Sequence, residues 1–216
     1  MQDTLHVNEL AEYLARHDPG TAGEFLAYMA MTALPAPRRI LRNVYVPHWQ
    51  GNSTEIDLLL IHTTGFYVIE SKNYSGEIYG DQDKRHWEAR YHAGKNSYEL
   101  ENPIWQNTTH ARALRQYISI YCKAPVRSVI AYGDWCTIRC IRRTSEEPVQ
   151  CHYRALRAQL YSMINRSPRC LSPAEVDMFY RFLLPLVDKD RDTHAQRMQA
   201  RRMRAEEEAN RRNKLG

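Results

Sequence analysis

An α/β fold with a C-terminal helical extension is predicted by three observations. Two short apolar runs rich in Ile, Leu, Val, Phe and Tyr, separated by Thr63-Thr64-Gly65, read as a β-hairpin. Segments with apolar residues at helical spacing flank the region of short extended runs on both sides. Beyond Val187 apolar residues almost vanish and charged ones dominate, so that stretch cannot bury a core of its own.

Taken in order, Val7 to Arg16 reads as a first helix, ended by Asp18-Pro19-Gly20-Thr21, which can also cap a second. Gly23 to Leu34 places Phe25, Leu26, Met29, Ala30 and Ala33 at helical spacing before Pro35 and Pro37 stop it, with Glu24 in its first turn. Ile40 to Val46 is a strand stopped at Pro47 and lying beside the hairpin. Gly76 to Gly80, Trp87 to Tyr91 and Tyr98 to Glu101 are short runs between Gly, Asp and Lys turns, and form a small antiparallel extension. Asn102-Pro103 starts a helix to about Tyr121, with Pro at a permitted first-turn position. Val126 to Tyr132 is a central strand and Trp135 to Ile141 one more. Helices follow at Tyr153 to Ile164 and Pro173 to Leu186, the latter capped by Ser172. The 188–216 stretch is an exposed charged helix or a solvated tail, with a partner-binding role as the alternative.

The chain has 216 residues, 43% of them hydrophobic, enough for one substantial core. Thirty basic against 25 acidic residues give a formal charge of +5, which permits a polyanionic partner without demanding one. No apolar stretch is long enough to span a membrane, and the acidic start at Met1 to Glu12 is unlike a secretory signal. Five cysteines, without paired CxxC spacing, read as reduced thiols rather than a zinc site.

The hairpin carries the most informative residues. If it turns between Thr63 and Thr64, paired positions sum to 127, which sets Asp57 opposite Glu70 on one face. Lys72, two residues past Glu70, shares that face. Opposed carboxylates on apolar strands are costly unless paired or bound to a cation. A hard divalent ion taking oxygen ligands would resolve the conflict, and an adjacent ammonium could orient a water or stabilise charge on a phosphoryl group. A plain surface ion pair between Glu70 and Lys72 fits the hairpin alone equally well.

The order of elements and five motifs resemble the NERD (nuclease-related) domain of the PD-(D/E)xK restriction-endonuclease-like superfamily. The motifs are Gly23-Glu24, Ile56-Asp57, the run from Gly65 through Glu70-Ser71-Lys72 to Gly76, Trp87, and Asn102-Pro103-Ile104-Trp105-Gln106-Asn107. The resemblance spans roughly Gly20 to Tyr132. It implies a central mixed β-sheet flanked by helices, and a metal-dependent nuclease acting on DNA with Mg²⁺, for which Mn²⁺ can substitute. In that reading Asp57 and Glu70 ligate the metal, Lys72 is the catalytic lysine, Glu24 points at the same cluster, and Gln106 is the polar residue of the later helix. Many family members carry His directly after the Asp, where this chain has Leu58. The implied division is a helical segment at 1–19, the nuclease core at 20–134, a mostly helical remainder of the globular domain at 135–187, and the tail at 188–216. The implied setting is cytoplasmic, with a homodimer or protein partner through the tail as a further expectation.

Bland readings stand beside these. Glu24 in a first turn is stabilised by the helix dipole whatever its role, and Gln106 can serve near-cap hydrogen bonding. His110, one turn after Gln106, is read as a packed or solvated histidine and left out of the site. Asn73 reads equally as turn chemistry, and Trp49, Trp87, Trp105 and Trp135 as core or rim packing. Arg38, Arg39, Lys84 and Arg85 are candidates to hold phosphates. The alternative function is a nucleic-acid or protein binding module that keeps the fold without turnover, and a third is an interaction protein worked by its tail.

Overall fold

The computed structural model describes residues 19–48, 52–91, 96–142 and 147–189; the helix expected at 7–16, Trp49 and nearly all of the charged tail lie outside the described residues. Helix α1 (Pro19–Thr32) leads into β1 (Arg38–His48), β2 (Asn52–His62) and β3 (Gly65–Lys72). Three short strands follow, β4 (Gly76–Asp81), β5 (His86–Tyr91) and β6 (Asn96–Glu101), then α2 (Pro103–Ile118). The chain continues through β7 (Val126–Tyr132), β8 (Cys136–Arg142), β9 (Val149–His152), α3 (Tyr153–Arg166) and α4 (Pro173–Leu183), ending in a 3₁₀ turn at Leu184–Leu186.

Two mixed sheets result. The larger runs β1-β2-β3-β7-β9 and the smaller β6-β5-β4-β8. β1, β2 and β3 pair antiparallel, whereas β3 pairs with β7, and β7 with β9, in parallel. A parallel pair needs a long crossover, and the one from β3 to β7 carries three strands of the smaller sheet together with α2. β8 leaves the larger sheet to pair in parallel with β4.

Helices cover both faces of the larger sheet. Leu59, Ile61, Phe66 and Val68 face Ala111 and Leu114 of α2 and Val176 and Phe179 of α4. Phe66 and Phe179 meet edge to face at 5.2 Å, a favourable aromatic geometry. The other face packs Leu58, Leu60, Tyr67 and Ile69 against Ala27 and Met31 of α1 and Leu156 and Leu160 of α3. A third cluster, with Ile78, Trp87, Ile104 and Tyr132, joins the smaller sheet to the start of α2.

Several boundaries differ from the sequence reading. α1 begins at Pro19 rather than Gly23, so Glu24 stands in its second turn and the helix dipole no longer accounts for it. Pro47 lies inside β1, opposite Ser53; β1 is an edge strand, where a missing N–H is tolerated. α2 ends at Ile118, and β8 starts at Cys136, leaving Trp135 in the preceding turn. β9 carries no strand signal strong enough to be read from four residues, and it forms because β7 offers it a free edge.

The predicted hairpin register holds: Leu58 pairs with Ile69, Leu59 with Val68 and Leu60 with Tyr67. The ladder stops there, one pair short of Asp57 and Glu70. Ile56 and Leu59 enter the same core although an odd spacing separates them, and Leu41 and Val44 of β1 do likewise. Side chains in a regular strand alternate faces with period two, so the alternation slips by one residue in both strands. The slip falls at Asp57 and at Asn43, whose backbone is left-handed at φ 51°. Asn accommodates that conformation better than most residues.

Candidate active site

Glu70 is the centre of the site. β3 sends Phe66, Val68 and Glu70 to the α2 face in strict alternation, and Glu70 is only 1% exposed. Lys72 Nζ lies 2.7 Å from its Oε1, and His110 Nε2 lies 3.2 Å from its Oε2. His110 is itself fixed by a 2.6 Å contact between its Nδ1 and Thr54 Oγ1. Both Glu70 oxygens are buried and neither has a hydrogen bond of good direction, so the carboxylate is held by charge at short range.

Asp57 sits where β2 and β3 part. Its Oδ2 accepts a hydrogen bond of 2.8 Å from the backbone N–H of Ser71, taking the place of the ladder bond that the strand slip removes. The β2–β3 ladder does not include the Asp57–Glu70 pair that a regular hairpin predicts, and the Asp57 carboxylate is held by the backbone of Ser71 instead. Burial, with the carboxylates of Glu70 and Glu24 prevailing over the opposing Lys72, pushes Asp57 well above the usual carboxylate range. Burial also disfavours charge on Glu70, yet Lys72 and His110 outweigh it and hold Glu70 at about 2. The two carboxyls are thus driven apart, Glu70 downward and Asp57 upward, as expected of close acids in unlike surroundings. Burial works against the Lys72 ammonium, but Glu70, aided by Tyr74 and Asp57, raises it above the ordinary lysine range. Burial drives the Tyr74 phenol to about 12.

The surrounding elements position these groups. Asn102 caps α2, its Oδ1 accepting from Ile104 N–H at 2.9 Å while its amide donates to the carbonyls of Asp81, Gln82 and Lys84. Asn107, wholly buried, donates to the carbonyls of Val68 and Val129 and so fastens α2 across β3 and β7. That anchor sets His110, three residues on, above Glu70. β7 runs beside β3 with Ile130 next to Glu70 and Tyr132 next to Lys72, and the Gly133 N–H donates to the Lys72 carbonyl at 2.9 Å. A Cβ on Gly133 would stand 2.4 Å from Asn73 Oδ1, and one on Gly23 3.0 Å from Asn73 Cβ and 2.3 Å from the Tyr153 hydroxyl. Gly23 is required for this close approach, and it brings the next residue, Glu24, within electrostatic reach of Asp57. The Tyr153 hydroxyl completes the layer at 2.7 Å from Ser71 Oγ, and burial raises that phenol as well.

Of the residues singled out from sequence, Asp57, Glu70, Lys72 and Glu24 converge. Gln106 is half-buried on α2, one turn before His110; among the described residues its amide joins neither carboxylate. His110, which sequence reasoning reads as packed or solvated, lies against Glu70. Its signal was the four-residue spacing from Gln106, which shares a helix face. Tyr153 had no signal, because its partner is 82 positions away. Arg38 pairs with His62, five residues along β2 from Asp57 or about 17 Å. It donates to the Thr32 carbonyl, while Arg39 pairs with Asp177 at 2.8 Å, so neither stands beside the carboxylates. Lys84 and Arg85 are exposed in the β4–β5 turn. Trp87 is core, Trp105 donates to the Gln82 carbonyl, and Trp135 is 86% exposed. The cysteines at 122, 136, 151 and 170 are free thiols.

Among the described residues no three His, Cys, Asp or Glu side chains form a metal-binding group. Asp57 and Glu70 nonetheless suit a hard cation that keeps other positions for water and phosphate oxygens. Glu70 offers two buried oxygens free of directed hydrogen bonds, and both groups are oxygen donors.

Comparison with known proteins identifies the family. Residues 19–133 match the model of the NERD, nuclease-related domain family. An uncharacterised protein of Bacillus anthracis is 30% identical over 187 residues, covering 84% of this chain and 85% of its own length. That match must run well past residue 133, since few residues precede the family segment. No solved structure matches the chain.

Proposed function

We propose, since this chain belongs to the NERD (nuclease-related) domain family, that it is a metal-dependent nuclease hydrolysing phosphodiester bonds of DNA at the Asp57, Glu70 and Lys72 cluster. The observation that carries this reading is the buried Glu70 with Lys72 Nζ at 2.7 Å. A solvated surface pair has no reason to be buried, and burying one is costly. Asp57 and Glu70 would hold Mg²⁺, or Mn²⁺ in its place. When bound, such an ion polarises the scissile phosphate and lowers the pKa of a coordinated water.

The chain's own groups divide the remaining work. Lys72 is held cationic by Glu70, so it donates hydrogen bonds to the attacking water and to charge developing on the phosphoryl oxygens, rather than removing a proton. His110 and Thr54 keep the Glu70 carboxylate in one orientation. Glu24 assists at the Asp57 side, and Gln106 offers a polar contact at the edge nearer solvent. Among the described residues no helix is long and apolar enough to cross a membrane, and the cytosol is the setting this reading assigns.

Purified protein incubated with circular and linear DNA, with and without Mg²⁺, tests the reading. Cleavage should require the ion and fall by at least about a hundredfold in Asp57→Ala and Lys72→Ala, with the fold retained by circular dichroism although Lys72→Ala, which leaves Glu70 buried without its partner, should melt lower. Full activity in either variant, or DNA binding without turnover, sinks it.

A further inference from the structure

The chain beyond residue 133 reaches into the site. Tyr153 opens α3, and its hydroxyl lies 2.7 Å from Ser71 Oγ. Ser71 is the residue whose N–H holds the Asp57 carboxylate at 2.8 Å. On its other side the same hydroxyl occupies the space that a Cβ on Gly23 would need, directly before Glu24. The preceding residue, His152, places its Nδ1 3.0 Å from the Gly133 carbonyl, and the Gly133 N–H donates to the Lys72 carbonyl. Two adjacent residues thus hold both halves of the Ser71-Lys72 pair. The ring of Tyr153 packs in the core with Leu156 and Met31, and packing alone would be served as well by Phe. The hydroxyl is what the core does not explain.

We propose that Tyr153 is a positioning residue: through Ser71 it fixes the backbone amide that aims Asp57 at the metal position, so the site is complete only with the chain beyond the family segment. This rests on the nuclease reading. Groups that orient metal ligands commonly change metal affinity or activity by about ten- to a hundredfold when removed.

Tyr153→Phe keeps the ring and removes the hydroxyl, and Ser71→Ala removes its partner while leaving the N–H. In metal-free protein, amide exchange at Ser71 should quicken by about tenfold in either variant. Mn²⁺ affinity by electron paramagnetic resonance should drop about tenfold, and kcat for DNA should fall similarly with KM unchanged. The double variant should lose no more than either single one, because one path carries the effect. Unchanged Ser71 exchange and Mn²⁺ affinity in Tyr153→Phe, or losses that add, overturn the proposal. A wild-type protein that neither binds Mn²⁺ nor cuts DNA overturns the nuclease reading instead, and Ser71 exchange still decides what the hydroxyl holds.

Discussion

Asp57 and Glu70 lie on neighbouring strands and their pKa values are pushed in opposite directions, because only Glu70 has the Lys72 ammonium and the His110 ring at short range. The consequence appears in stability against pH. A carboxyl whose folded pKa is raised binds more protons folded than unfolded, so it costs stability as pH rises through that window. Asp57→Asn should therefore abolish cleavage yet raise the melting temperature of the metal-free protein, with the gain shrinking toward acid. Glu70, held at about 2, contributes stability above its ordinary value that is lost as pH falls toward 2, so Glu70→Gln should show the opposite trend. Melting temperatures across pH for the two variants check both signs, and parallel curves would contradict them. Asp57, Glu70 and Lys72 were legible in sequence because one hairpin gathers them. His110 was not, since nothing local says which face of α2 meets β3; Asn107, bonded to Val68 and Val129, decides that.

At the level of elements, local chemistry made the helix starts readable where a side chain closes its own cap. Ser172 accepts from Glu175 N–H at 3.2 Å while Glu175 returns a bond to the Ser172 N–H at 2.7 Å, a complete capping box. Ser172→Ala should cost about 1 kcal/mol and leave cleavage untouched, because α4 meets the sheet at Phe66 and not at Glu70. Calorimetry beside a DNA assay measures this, and a loss of activity with full stability would point to a role for α4 that the packing does not show. β9 escaped sequence reading for the reverse reason. Its residues Val149–His152 have weak preferences, and parallel pairing with β7, a long-range contact, defines them. The slip at Asp57 escaped too, because a run of Leu58, Leu59, Leu60 and Ile61, buried on both faces, hides its own alternation.

The whole molecule is more than the matched segment. β9 extends the larger sheet, and α3 and α4 each cover one of its faces with Leu156, Leu160, Val176 and Phe179. A chain ending at residue 133 should fail to fold, whereas one ending after Lys189 should keep Mg²⁺-dependent cleavage. Circular dichroism and the DNA assay on both truncations test this, and a folded, active 1–133 chain would refute it. The mixed sheet between helical layers was foreseeable from the order of elements, while the sharing of the layers between the two halves of the chain was not. A constraint on chain length follows from the misphased step in β2. Inserting or deleting one residue between Asp57 and Leu58 would send Leu59 and Ile61 toward α1 and Leu58 and Leu60 toward α2, exchanging the two interiors wholesale. Side-chain volume there can drift and be absorbed; the number of residues cannot, and a frame of fixed length separates the acid from the turn.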